Sequence, residues 1–254
     1  MTKQNVEQLF DNISSKYDIT NYFTSLGLEK YWRRKFSRHI KGSEKYILDA
    51  CCGTGISTLN IMHRIKNSSA QITGIDFSED MLAVARQRLE KINFNSKNMA
   101  NLGIKFIQGD VSSLSFKDDY FDLITIVFGI RNVVDRKKAL EEFFRVAKPG
   151  GRLVIMEFNF PQKPLFRKLY SFYMNRILIN IGGAITKNKN AYRYLVKTIK
   201  DFPPVDDFSL LIASAGFSDV RVEKLTMGTC TIFSALKNIE SQPRSNVFLD
   251  IYKK

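Results

Sequence analysis

Two histidines and three cysteines are all that this 254-residue chain holds of the side chains that most often bind metals or act as nucleophiles. Cys51 and Cys52 are adjacent and Cys230 is distant, which makes neither a disulfide framework nor a zinc spacing. Small packing roles are expected for the cysteines, and surface or packing roles for His39 and His63. No metal is expected. No apolar run approaches the ~20 residues that cross a bilayer, and the opening MTKQNVEQLFDNISSKYD has no apolar export core. These absences point to a reducing cytoplasm.

Acidic charge is also in short supply. Lys and Arg number 39 against 25 Asp and Glu, a formal net charge of +14. Between Phe160 and Lys200 there are nine basic residues and no acidic one, interleaved with Phe160, Phe166, Tyr170, Phe172, Tyr173, Tyr192 and Tyr194. Basic residues among aromatics suit an anionic membrane surface or a nucleic acid. A lysine-rich solvated surface explains the charge equally well.

The hydrophobic pattern is more decisive. Val6, Leu9, Phe10 and Ile13 mark one face of an amphipathic helix, and Leu28–Ile40 predicts a second, broken at Gly42-Ser43. Short apolar runs then alternate with helical stretches. Strands are predicted at Tyr46–Ala50, Gln71–Asp76, Ile104–Gly109, Phe121–Phe128 and Arg152–Phe158. Helices are predicted from Glu79 to Lys91 with Ser78 as N-cap, and from Lys137 to Val146, stopping at Lys148-Pro149-Gly150-Gly151. A mainly helical insertion follows, from Pro161 to about Pro204. Helix Phe208–Ala215, with Gly216 beyond its end, and strands Val220–Leu225 and Thr229–Leu236 close the pattern. This alternation argues for an α/β fold, a doubly wound and mostly parallel sheet.

The sharpest local signal is Asp49-Ala50-Cys51-Cys52-Gly53-Thr54-Gly55, directly after the first strand. Two glycines at i and i+2 let the backbone turn tightly and approach a ligand. A dinucleotide fingerprint wants a third glycine where Thr58 stands, so a pyrophosphate is disfavoured. An amino-acid moiety fits better, its carboxylate and ammonium meeting backbone groups and Asp49. Asp76, at the end of the second strand, can accept both hydroxyls of a ribose. Asp110, closing the third strand, can face an adenine amino group. A nucleoside with an amino-acid arm describes S-adenosylmethionine.

The chain resembles the demethylmenaquinone and 2-polyprenyl-benzoquinol C-methyltransferases over about residues 5 to 237. The resemblance is carried by Phe10-Asp11, Tyr17-Asp18, Asn21, Trp32-Arg33, Asp49 with Gly53-Thr54-Gly55, Gly74-Ile75-Asp76-Phe77-Ser78 with Met81-Leu82, and Gly109-Asp110. Its most distinctive stretch is Phe128-Gly129-Ile130-Arg131-Asn132-Val133. Lys148-Pro149-Gly150-Gly151, Glu157-Phe158, Tyr194-Leu195, Phe202-Pro203 and Gly216-Phe217 complete it. Val127 stands where the ubiquinone branch often has Ser, which tilts the substrate toward a naphthoquinol. Asn159 stands where Ser is usual.

The resemblance implies a Rossmann-like, seven-stranded class I methyltransferase domain over residues 1–237, with a helical lid at 1–43, the basic insertion at 160–204 and a tail at 238–254. It implies S-adenosylmethionine held by Asp49, Gly53, Thr54, Gly55, Asp76, Phe77, Met81, Asp110 and Val111. Arg131, Asn132 and Tyr17 would serve catalysis and Asn21 the substrate. A ring carbon of a hydroquinone becomes nucleophilic when its neighbouring phenol, of pKa ~10, loses a proton. Arg131, too basic to take that proton, would favour the phenolate, with a salt bridge to a local acid such as Asp135 as its structural alternative. Aromatic residues of the lid would face inward and Lys/Arg outward, toward head groups at the inner face of the membrane. The expected partner is a lipid quinol and not a nucleic acid, and a homodimer is compatible with the pattern. The reaction implied is methylation of demethylmenaquinol to menaquinol, and four alternatives remain open: the equivalent benzoquinol step of ubiquinone synthesis, another small-molecule or RNA methyltransferase, a nicotinamide oxidoreductase, and a non-catalytic partner in quinone synthesis.

Overall fold

The computed structural model describes residues 24–67, 69–93, 103–186 and 189–239. The amphipathic stretch 6–13, Tyr17, Asn21 and nearly all of the tail lie outside the described residues. Seven strands form one sheet: β1 (Tyr46–Ala50), β2 (Gln71–Asp76), β3 (Gly103–Gln108), β4 (Phe121–Val127), β5 (Ala147–Phe158), β6 (Ser218–Leu225) and β7 (Cys230–Leu236). Their order is β3-β2-β1-β4-β5-β7-β6. Neighbours pair in parallel except β7, which runs antiparallel to both β5 and β6. The chain winds outward from β1 to β3 and then returns to β4 on the other side of β1. That reversal opens a crevice at the carboxyl ends of β1 and β4, where open α/β sheets bind ligands.

The helices are α1 (Glu29–Ser37), α2 (Ile56–Arg64), α3 (Glu79–Asn93), α4 (Arg136–Val146), α5 (Pro164–Phe172), a π-helix (Tyr173–Gly182), α6 (Gly183–Thr186), α7 (Lys189–Lys200) and α8 (Val205–Ser214). Alternating residues of the central strands feed two cores. Ile47, Leu123, Val154 and Met156 pack with α1, α2 and the insertion, and Leu48, Ile124, Leu153 and Ile155 pack with α4 and α8. Burial on both faces accounts for the apolar residues at adjacent positions in β1 and β4, Ile47-Leu48 and Leu123-Ile124. The predicted cap forms, Ser78 Oγ accepting from the Met81 N–H at 3.2 Å, and Asp135 adds one that was not predicted, accepting from the Lys138 N–H at 2.9 Å.

Several boundaries differ from the sequence reading. β5 begins at Ala147 rather than Arg152, because Ala147 pairs with Phe121 ahead of a register shift. The Lys-Pro-Gly-Gly corner is bonded to the end of β7, where the Gly150 N–H donates to the Lys237 carbonyl and the Lys237 N–H to that of Gly151. Helix α3 runs on to Asn93, and α8 begins at Val205 behind Pro204. The aromatics of the insertion do not all turn inward, since Tyr170 and Tyr192 are buried but Phe172 is exposed.

Candidate active site at the carboxyl ends of β1, β2 and β4

The loop after β1 is shaped by left-handed backbone at Cys51 (φ 51°), Gly53 (φ 54°) and Gly55 (φ 79°). A side chain on Gly55 would also strike Ala85 of α3, at 2.9 Å from an added Cβ. Asp49 stands in β1 just before this loop. It is wholly buried, its carboxylate accepting from the hydroxyls of Ser57 (2.7 Å), Thr58 (2.6 Å) and Thr125 (2.9 Å). These bonds brace the site, tying the loop and α2 to β4. Thr58, in the place of a third glycine, is one of those braces.

Asp76 reaches across from β2, accepting from the Gly53 N–H at 2.8 Å and the Ser78 N–H at 3.1 Å. Burial outweighs these bonds and pushes its carboxyl up to about 6. Met81 and Val111 are buried and Phe77 is half-buried. Arg88 of α3 donates to the Thr54 carbonyl at 3.1 Å, an anchor that nothing in the sequence signalled. At the end of β3, Asp110 accepts from the N–H and hydroxyl of Ser112 at 2.9 and 2.7 Å. Burial pushes the Cys51 and Cys52 thiols well up, which suits packing and not thiolate chemistry.

β4 ends in a second strained turn. Phe128 has φ 58°, rare for a bulky residue, and Gly129 packs so closely on the first loop that an added Cβ would meet that of Cys51 at 2.5 Å. The two signature loops therefore interlock. The 3-10 turn Ile130–Asn132 buries Arg131, whose partner is Glu157 of β5 and not Asp135. Glu157 accepts from the Arg131 guanidinium at 2.9 Å, the Arg131 N–H at 3.1 Å and the Phe158 N–H at 2.8 Å. The same guanidinium donates to the Phe128 carbonyl and lies 5.4 Å from the Phe158 ring centroid. Asp135 is instead the cap of α4.

Sequence reasoning saw Glu157 only as a shared residue. A lone glutamate in the apolar run of β5 was the available signal, since a carboxylate there needs a cation. It also missed an aromatic cluster beside the Arg131 turn. Trp32 of α1 meets the edges of Phe128 and Phe158, whose rings stack at 4.2 Å, and its indole donates to the Thr226 hydroxyl at 2.8 Å. Helix α7 packs against the Arg131 turn. Among the described residues, three buried oxygens in this region have no hydrogen-bond partner: Asn132 Oδ1 and the hydroxyls of Tyr170 and Tyr192. His39 pairs with Glu223 at 3.2 Å on the far side of α1, and His63 is exposed, so neither enters the site.

The model of the ubiE/COQ5 methyltransferase family matches residues 1–237. This chain belongs to the ubiE/COQ5 methyltransferase family. It is 38% identical to a demethylmenaquinone methyltransferase of Bacteroides fragilis, over 92% of this chain and 93% of that one. It is 39% identical to the ubiquinone/menaquinone biosynthesis C-methyltransferase UbiE of Geotalea daltonii, over 92% and 97%. Among solved structures, a SAM-dependent methyltransferase from Thermotoga maritima superimposes with a TM-score of 0.61 at 18% identity, covering 92% of this chain and 100% of that one. That likeness is one of fold.

Proposed function

We propose that this chain methylates a ring carbon of a polyprenylated hydroquinone, with demethylmenaquinol as substrate and S-adenosylmethionine as donor. Family membership over 237 residues supports the reaction, and the observation that carries the site is the interlock of the Gly53–Gly55 loop with the Arg131 turn at the switch point of the sheet. The cofactor supplies a methyl group already activated on a sulfonium. The residues present fit it. A buried carboxylate, Asp76, is tied to the glycine loop, left-handed backbone leaves room for close approach, and α2 begins there with no acidic residue in its first turn to repel a carboxylate.

In this reading Asp76 accepts the ribose hydroxyls, Asp110 and Val111 border the base, and Gly53, Thr54, Gly55, Phe77 and Met81 complete the cradle. Asp49 acts through the loop it braces. Arg131 meets the acceptor's oxygen as negative charge grows there. Because Glu157 compensates it, Arg131 acts as a directed donor within a neutral pair, held in place before the substrate arrives. Asn132, Tyr17 and Asn21 orient the quinol oxygens. Enclosure by Trp32, Phe128 and Phe158 keeps bulk water from the methyl group. The basic insertion faces an anionic membrane, from which a polyprenyl substrate must come.

Quinone profiling by mass spectrometry of cells with and without the gene tests this. Accumulation of demethylmenaquinone on deletion is expected. An unchanged menaquinone pool with accumulating demethylated benzoquinone would transfer the assignment to the ubiquinone branch.

A further inference from the structure

Among the described residues, α5 and the π-helix after it carry an unusual concentration of exposed apolar side chains. Leu165, Leu169, Phe172, Ile177 and Ile181 are all between 37% and 85% exposed. The opposite side of the same run, Tyr170, Met174 and Leu178, is buried in the core that contains Phe128 and Phe158. One helical rod therefore has two apolar sides, one inward and one facing out.

The change of helix type keeps the outer side continuous. Steps of four and three residues, Leu165 to Leu169 to Phe172, hold one face of an α-helix. The next step, Phe172 to Ile177, is five residues. At 3.6 residues per turn it would rotate Ile177 by about 140° from Phe172, toward the buried side. The wider turn of the π-helix, with its i→i+5 bonding, begins at Tyr173 and brings residues five apart back into line. Ile177 and the next stripe residue, Ile181, are exposed accordingly.

Lys163, Arg167, Lys168 and Arg176 are exposed along the same run, and no acidic residue occurs between Phe160 and Lys200. A contiguous apolar stripe with basic neighbours is costly to leave in water and complementary to an anionic lipid surface. No helix among the described residues is long and apolar enough to cross a membrane, so the rod would lie in the plane of the interface.

We infer that the stripe Leu165–Leu169–Phe172–Ile177–Ile181 is the surface that this chain inserts into an anionic bilayer, with the π-helix as the device that aligns it. This rests on the lipid-quinol reading only for the reason a bilayer is the partner. The rod that touches lipid on one side then walls the reaction core on the other.

The test is co-sedimentation of the full chain with phosphatidylglycerol-containing vesicles, beside turnover of a short-chain, water-soluble quinol. The triple variant Leu169→Ser, Phe172→Ser, Ile181→Ser should bind vesicles at least roughly tenfold more weakly, while its soluble-quinol turnover and melting temperature stay close to those of the unsubstituted chain. In a separate variant, Phe172→Trp should add emission that brominated lipids quench, against the buried Trp32 as background. Vesicle binding unchanged in the triple variant would overturn the inference. So would binding that ignores lipid charge and salt, or a triple variant that turns a dimer into a monomer with its vesicle binding intact, since a second copy would then own the stripe. Failure of the quinol reading looks different: no quinol turnover at all, with the vesicle result standing.

Discussion

The two sides of the crevice are built differently. On the β1–β2 side the polar groups are satisfied within the sheet and its loops: Asp76 on the Gly53 and Ser78 N–H groups, Asp49 on three hydroxyls, Asp110 on Ser112. On the β4–β5 side a buried cation is paired with a carboxylate from the next strand, and among the described residues the hydroxyls of Tyr170 and Tyr192 and the Asn132 carbonyl oxygen are buried with no partner. A cradle for a ligand of constant shape can be closed in advance. A pocket that must stabilise charge appearing only during reaction keeps donors and acceptors that the substrate completes, at the cost of leaving them unsatisfied beforehand.

The largest break in this contrast should come from Arg131. Arg131→Met should lower turnover by on the order of 10²–10³ and, by stranding Glu157, destabilise the fold by roughly 3–5 kcal/mol. Cofactor affinity of the folded variant should hardly move. Raising the pH should recover part of the turnover, because hydroxide then supplies the phenolate that Arg131 no longer favours. Steady-state kinetics on a pH series, beside thermal melts, separates the two losses. Lost stability without a pH-dependent recovery of rate would leave Arg131 a purely structural residue.

Asp76 probes the other side. Asp76→Ala should weaken S-adenosylmethionine binding by roughly 1–3 kcal/mol in calorimetry, with turnover at saturation little changed. Its titration adds a sign. If the carboxylate holds the ribose, affinity of the unsubstituted chain should be flat above pH 7 and fall by up to about tenfold per unit below its value of about 6. For the ligand-free fold the direction reverses. The folded value lies above the unfolded 3.8, so this group costs stability above pH 6, and the cost fades as pH drops from about 6 to 4. Asp76→Asn should therefore gain on the unsubstituted chain most at pH 7. Affinity that ignores pH over this range would remove Asp76 from the ribose.

The smallest effect sharpens the contrast instead of breaking it. Tyr192→Phe deletes a buried hydroxyl that has no partner among the described residues, so the ligand-free protein should gain up to ~1 kcal/mol in denaturant melts. If that hydroxyl meets the quinol, KM should rise several-fold while cofactor affinity stays put. A destabilised variant would mean that the hydroxyl is already satisfied.

The sequence by itself determined the sheet, the switch-point loop and the family. Strand periodicity is local, and the constraints on Gly53, Gly55 and Asp76 come from the few residues around them. It was blind where partners are distant in the chain. The motif marks Asp49, but nothing local shows that three hydroxyls, one of them 76 positions away, brace it. Asp135 is the nearest acid to Arg131 in sequence, yet parallel pairing sets the end of β5 beside the end of β4, so Glu157, 26 residues on, takes the cation. The insertion reads as helical from its composition, but which of its apolar side chains face water was decided by the π-helix, because one change in turn width re-aims every residue after it.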